Sequence, residues 1–173
     1  MTVKVNLKLP RDIWTAKDTK ALASNTVATV KRRTMRGISS KGKKFKKYST
    51  NPLYVSFRGA RLKPKGGTRL SRTGKSIYYA GGYRQYKEDS RKRRGGQGQT
   101  AEVDLVLSGQ LMNNLVVLEA TETRFRIGLT KHVRHYGYEV HKVRPYIGLT
   151  DNEIDTLVNA VAFDISKKLG RNT

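Results

Sequence analysis

The sequence predicts an α+β fold: a small antiparallel β-sheet packed by two long α-helices, about 16–36 and 151–169, with a long basic loop or hairpin insertion. Three observations predict it. Several short segments alternate apolar and polar residues with period two. Two longer segments carry apolar residues at helical spacing behind capping signals. Between them, residues 38–100 are rich in Gly, Lys, Arg, Ser and Tyr and hold little steady periodicity.

The elements follow in order. Val3, Val5, Leu7 and Leu9 alternate with Lys4, Asn6 and Lys8, which reads as a half-buried strand ending at Pro10. Thr15 and Asp18 form a capping-box pattern. Leu22, Ala23, Val27 and Val30 then give the first helix its apolar face, and Gly37 stops it after the basic turn Lys31, Arg32, Arg33 and Arg36. In the basic stretch, Leu53, Val55 and Phe57 alternate, as do Ile77 and Tyr79, so one or two hairpin arms are expected. The pairs Gly66-Gly67, Gly81-Gly82 and Gly95-Gly96 read as turns. Val103, Leu105 and Leu107 read as a strand, Gln110 to Asn114 as a helical turn, and 115–118 and 124–129 as an antiparallel hairpin. Residues 131–136 read as a short helix ending before Gly137. Thr150 and Glu153 form a second capping box. The stripe Ile154, Leu157, Val158, Val161, Ile165 and Leu169 then runs to Gly170 and is expected to bury against the sheet.

Length and composition bound the function. The chain of 173 residues fits one domain, 1–173, with 38–100 as a basic extended arm within it. It has no cysteine, so disulfides and thiolate chemistry are excluded, and a reducing compartment is expected. No apolar run is long enough for a transmembrane helix, and the N-terminus has no secretory h-region. The net charge is +23, and residues 31–94 alone hold 22 Lys/Arg against 2 Asp/Glu, whereas 95–173 are balanced at 9 and 9. A like-charged block repels itself and is stabilised by a polyanion or an acidic protein surface. The candidate contact residues are Lys41, Lys43, Lys44, Lys46, Lys47, Arg58, Arg61, Lys63, Lys65, Arg69, Arg72, Lys75, Arg91, Lys92, Arg93 and Arg94. Tyr48, Tyr54, Phe57, Tyr78, Tyr79, Tyr83 and Tyr86 are interleaved with them. Such aromatics suit interface hot spots, stacking on unpaired bases, or packing of the arms on themselves, and composition does not separate the three.

Catalytic signatures are weak. Arg72-Thr-Gly-Lys-Ser76 resembles the end of a phosphate-binding loop, but the required glycine position holds Arg69. His132, His135 and His141 lack thiolate partners and lie among Lys131, Arg134, Lys142 and Arg144, which oppose a cation. Ser71, Ser76 and Ser108 sit in no nucleophile setting, and no carboxylate pair stands out. The expectation is a non-enzymatic protein with no cofactor and no metal.

Four stretches together resemble one family. Lys31-Arg-Arg-Thr-Met-Arg-Gly37 with Gly42-Lys-Lys-Phe45 and Lys47-Tyr-Ser49, then Gly82-Tyr-Arg-Gln-Tyr86, then Val103-Asp-Leu105 with Ser108-Gly-Gln-Leu-Met112, and finally Arg144-Pro-Tyr-Ile-Gly-Leu-Thr-Asp151 occur in order. They are similar to motifs of tailed-phage virion-morphogenesis proteins of the tail-completion and neck, or head–tail joining, type. The likeness spans about residues 16–169. It implies a structural virion protein, made in the host cytoplasm, that forms a homo-oligomeric ring compatible with sixfold symmetry. The implied partners are portal or head-completion (adaptor) proteins and tail terminator or tail tube proteins, with non-specific contact to genomic DNA and no membrane. Arg144, Pro145 and Tyr146 become the candidate subunit-interface or fold corner, since Pro145 holds Arg144 extended and Gly148 allows a tight turn before Thr150. A cytosolic basic protein binding RNA or DNA is the alternative.

Overall fold

The computed structural model describes residues 2–7, 13–56, 68–92 and 103–170. The fold is α+β, with mixed helices and two three-stranded antiparallel sheets where the sequence predicts one. The chain divides into two compact units, Met1–Phe45 with Asp104–Thr173, and Lys46–Val103.

The first unit holds β1 (Thr2–Asn6), α1 (Ala16–Met35), α3 (Gln110–Asn113), β5 (Leu115–Ala120), β6 (Arg124–Leu129), α4 (Arg134–Val143) and α5 (Asp151–Leu169). Strand β6 is central, paired to β1 and β5. The expected hairpin is present, with Leu115 opposite Leu129 and Val117 opposite Ile127, and the register shifts between Val117 and Glu119. Alternation on β6 turns Phe125, Ile127 and Leu129 into the core, where they are buried with Leu115. Helix α1 covers this face with Leu22, Ala23, Val27 and Val30. Its capping box is formed by Thr15 and Asp18 as the spacing predicts, and Gly37 follows with φ 79°. Trp14, itself buried, donates from Nε1 to Thr19 Oγ1 at 2.8 Å.

The structure corrects three expectations. Residues 103–107 form no strand: Asp104 Oδ1 accepts from the Val106 amide at 3.0 Å, and Leu105 has φ 53°. The aspartate offers the backbone a local partner, which replaces the ladder. The helix expected to end before Gly137 instead runs through it, as a 3₁₀ turn over Lys131–Val133 continuing into α4. Gly137 is a point of close approach, because a Cβ there would sit 2.0 Å from Leu129 Cδ1 and 2.9 Å from the Tyr146 hydroxyl. Gly137→Ala is therefore expected to cost about 1–3 kcal/mol despite the better helix propensity of alanine. Chemical denaturation tests this, and a variant as stable as the parent would show that Leu129 moves aside freely.

The third correction concerns α5. Its capping box, Thr150 with Glu153, is present. Of the expected stripe, only Val161 is buried; Leu157 and Ile165 are half-buried, and Ile154 and Val158 are 44% and 59% exposed. The helix is pinned near both ends. Glu153 pairs with Arg33 of α1, and Lys168 reaches Asp18 at 2.5 Å and the Ile13 carbonyl at 3.1 Å. Between these anchors it stands off β1 and leaves an apolar cleft of about 590 Å³. Periodicity marks the apolar face, but nothing described in the unit fills the space beside it.

The second unit holds β2 (Leu53–Ser56), β3 (Thr68–Leu70), β4 (Ser76–Tyr79) and α2 (Gly82–Lys92). The hairpin arms are present as a sheet ordered β2-β4-β3, with Tyr54 and Arg69 both opposite Tyr78. Phe57 lies outside the described residues. Ile77 and Tyr79 form the core with Val55 and Tyr86, and the Tyr79 and Tyr86 rings meet edge-on at 5.3 Å. The sequence marks the start of α2 only as a turn at Gly81-Gly82. Gly82 has φ 64° and packs so close to 49–51 that a Cβ would lie 2.3 Å from the Asn51 carbonyl oxygen.

Candidate functional site

The candidate cations fall into distinct local settings. In the first unit, Lys41, Lys43 and Lys44 sit together on a tight loop after α1. An isolated bridge joins Ile38 to Lys44, the Ser39 hydroxyl accepts from the Lys41 and Lys43 amides at 3.3 and 3.2 Å, and Gly42 turns the tip with φ 73°. This hairpin leaves all three lysines exposed. In the second unit, Lys46 and Lys47 are exposed ahead of β2, and Arg72 and Lys75 are exposed in the turn joining β3 to β4. That turn is closed by the Ser71 amide to the Ser76 carbonyl at 2.8 Å, so the phosphate-loop-like string is a hairpin turn. Arg69 lies over the Tyr78 ring, 4.6 Å from its centroid. Arg91 is half-buried, and Lys92 pairs with Glu88 at 2.8 Å, which raises its pKa. Arg58, Arg61, Lys63, Lys65, Arg93 and Arg94 lie outside the described residues.

Two cations counted by composition are not surface groups. Lys87 is buried, with its Nζ hydrogen-bonded to the Tyr48 hydroxyl and 4.1 Å from that ring's centroid. Arg33 is buried beneath the Arg-Pro corner.

That corner is assembled from four elements. Arg144 is extended, with φ −137° and ψ 86°, as a residue before proline should be. The Pro145 carbonyl accepts from the Ser40 amide at 2.8 Å, which ties the lysine loop to the corner. Tyr146 is fully buried, and its hydroxyl donates to the Gly137 carbonyl at 3.3 Å. Burial raises the pKa of this phenol, so it stays protonated as a donor. Arg33 Nη2 donates to the carbonyls of Tyr146 at 2.6 Å and Gly148 at 3.0 Å, while Nη1 pairs with Glu153. Desolvation lowers the Arg33 pKa, and the Glu153 charge opposes that shift. One planar guanidinium thereby joins α1, the corner and the start of α5.

The far side of the corner rests on a histidine. His141 Nδ1 accepts from the amides of Tyr146 and Ile147 at 3.2 and 3.3 Å. An acceptor at Nδ1 requires the neutral ring, and burial lowers the His141 pKa below its usual 6.5. The unfolded chain therefore takes up the proton first. Stability is expected to be level above neutrality and to fall as pH drops below about 6.5. Melting temperatures between pH 7.5 and 5 should decline less in His141→Ala than in the parent, and parallel declines would remove the role.

Arg33 and His141 are the residues that sequence reasoning missed at this corner. Helical spacing held a signal for Arg33, which lies three and seven residues after the buried Val30 and Thr26. The hydroxyls of Ser71 and Ser108 serve turns, accepting from the amides of Ser76 and Gln110 at 3.1 and 3.4 Å. Among the described residues, no three His, Asp or Glu groups converge to hold a metal ion, and no helix is long and apolar enough to cross a membrane. What the arrangement offers is a rigid corner, an open apolar cleft and exposed clusters of cations. No protein-family model, curated protein or solved structure matches the chain.

Proposed function

We propose that this chain is a structural virion protein that forms a ring in the neck of a tailed phage, joins head to tail and leaves a channel for DNA. Its action is binding and geometry, without turnover, and its partners are portal-side adaptor proteins and tail terminator or tail tube proteins. The observation that carries the reading is the Arg144–Asp151 corner. It is held on Arg33 and delivers α5 with Ile154 and Val158 open to solvent. A subunit that leaves a core-like helix face uncovered is built to complete that face by assembly. The reading of that assembly as a phage neck rests on the resemblance of the ordered motifs across residues 16–169.

The experiment is electron microscopy of the purified protein, followed by imaging of phage particles carrying a label on this chain. Rings with an open lumen, and label at the head–tail joint, are expected. A monomer that is absent from particles overturns the reading. The exposed Lys41, Lys43 and Lys44 favour a second reading, a basic nucleic-acid-binding protein. Light scattering at moderate salt separates the two, since that reading requires a monomer binding RNA or DNA tightly.

A further inference from the structure

The first unit carries two surfaces that complement each other and cannot meet within one copy. The first is the cleft between β1 and α5. Val3 and Val5 form its strand wall, and Ile154, Leu157 and Val158 its helix wall. Residues 151–165 of α5 hold four acids, Asp151, Glu153, Asp155 and Asp164, and no Lys or Arg. Glu153 is used internally by Arg33. Asp151 and Asp155 are exposed one turn apart, on the side of the stripe where Val158 is open. The cleft is therefore mainly apolar, with Lys4 on its strand wall and with Asp151 and Asp155 exposed beside its helix wall.

The second surface is the outer face of α1 near its C-terminus. Ala28, Lys31, Arg32, Met35 and Arg36 border a shallow depression there, with Met35 56% exposed at its centre. Arg33, which packs inward on the corner, marks the opposite face of the same helix. This surface is an adaptable apolar side chain ringed by three cations.

We infer that the cleft of one copy, with the acidic edge of α5 beside it, receives the Met35-centred basic face of the next, in a head-to-tail contact. The inference rests on the ring reading above and names the surface that builds the ring. Charge selects this pairing. In this contact Asp151 and Asp155, exposed beside the helix wall, stand against Arg32 and Arg36, and opposite charges across an interface fix its register. The α1 face offers the opposite sign and an apolar centre for the same cleft. Because both surfaces belong to one unit, the rotation between successive copies is set by that unit, as a closed ring requires.

The test is sedimentation equilibrium of the full chain, with folding of each variant confirmed by circular dichroism. The parent should associate with concentration. Asp151→Lys with Asp155→Lys, and separately Arg32→Glu with Arg36→Glu, should each weaken association by about tenfold or more. The chain carrying all four changes should regain it, because the signs match again. Recovery in the fourfold variant is the result that a mere folding defect would not produce. If the parent assembles and neither pair alters it, this contact is wrong while the ring stands. If all four together assemble no better than either pair, the two surfaces do not meet. A parent that stays monomeric overturns this contact, and the ring reading falls with it if the label is also absent from particles.

Discussion

Arg33→Ala is expected to lower the stability of the first unit by about 3–5 kcal/mol, the usual cost of removing one partner of a buried ion pair. Three groups lose their donor at once: the Glu153 carboxylate and the carbonyls of Tyr146 and Gly148. Glu153 keeps the Thr150 amide at 2.8 Å, so the cap of α5 partly survives while its charge is left 14% exposed without a cation. Arg33→Lys should recover only part of the loss, because a single ammonium cannot span a carboxylate and two carbonyls as the planar fork does. The exposed Lys41→Ala is the control and should stay within about 0.5 kcal/mol of the parent. Urea denaturation measures all three. A loss below about 1 kcal/mol for Arg33→Ala would mean that water replaces the guanidinium and that the corner does not depend on it.

Particular residues show how far the sequence could be read. Helices α1 and α5 were legible to within about one residue, because each starts on a reciprocal capping box and ends at a glycine. Strand β1 followed from alternation, though it ends at Asn6 and not at Pro10, and β6 alternates because Phe125, Ile127 and Leu129 pack into the core, whereas β5 starts as the continuous apolar run Leu115 to Leu118. Helix α2 was not legible. Its inward side chains are Tyr86, Lys87 and Ser90, so no aliphatic stripe marks it, and a glycine pair at its start imitates a turn. The apolar face of α5 was legible as a pattern, but periodicity says which side is apolar and not what covers it. The same limit applies to the cations. Within Lys31-Arg-Arg33, neighbours in sequence point to opposite sides of α1, so Arg33 holds the corner while Arg32 faces solvent. Lys87 likewise contributes to the net charge but not to the surface.

The isolated chain is expected to bind duplex DNA without sequence preference and with steep salt dependence. A contact with 6–10 phosphates loses roughly 10³–10⁵ in affinity between about 50 and 200 mM salt, because each phosphate neutralised releases condensed counterions. The lysine loop presents a compact part of this basic surface. Ser39 and the Ile38–Lys44 bridge hold its backbone, so Lys41, Lys43 and Lys44 are displayed from one rigid tip. Replacing all three by alanine should flatten the slope of log affinity against log salt by about 2–3, near 0.9 for each phosphate that is no longer neutralised. The loss should be equal for unrelated sequences, since phosphate contacts carry no base information. Fluorescence anisotropy with two duplexes of different sequence, over a salt series, measures both quantities. The loop also donates the Ser40 amide to Pro145, so the variant's melting temperature must be checked against the parent before its slope is compared. An unchanged slope in a folded variant would show that these lysines do not touch the phosphates. Their charge would then be matched to an acidic protein surface, and particle joining, not DNA affinity, would be the property that the alanines impair.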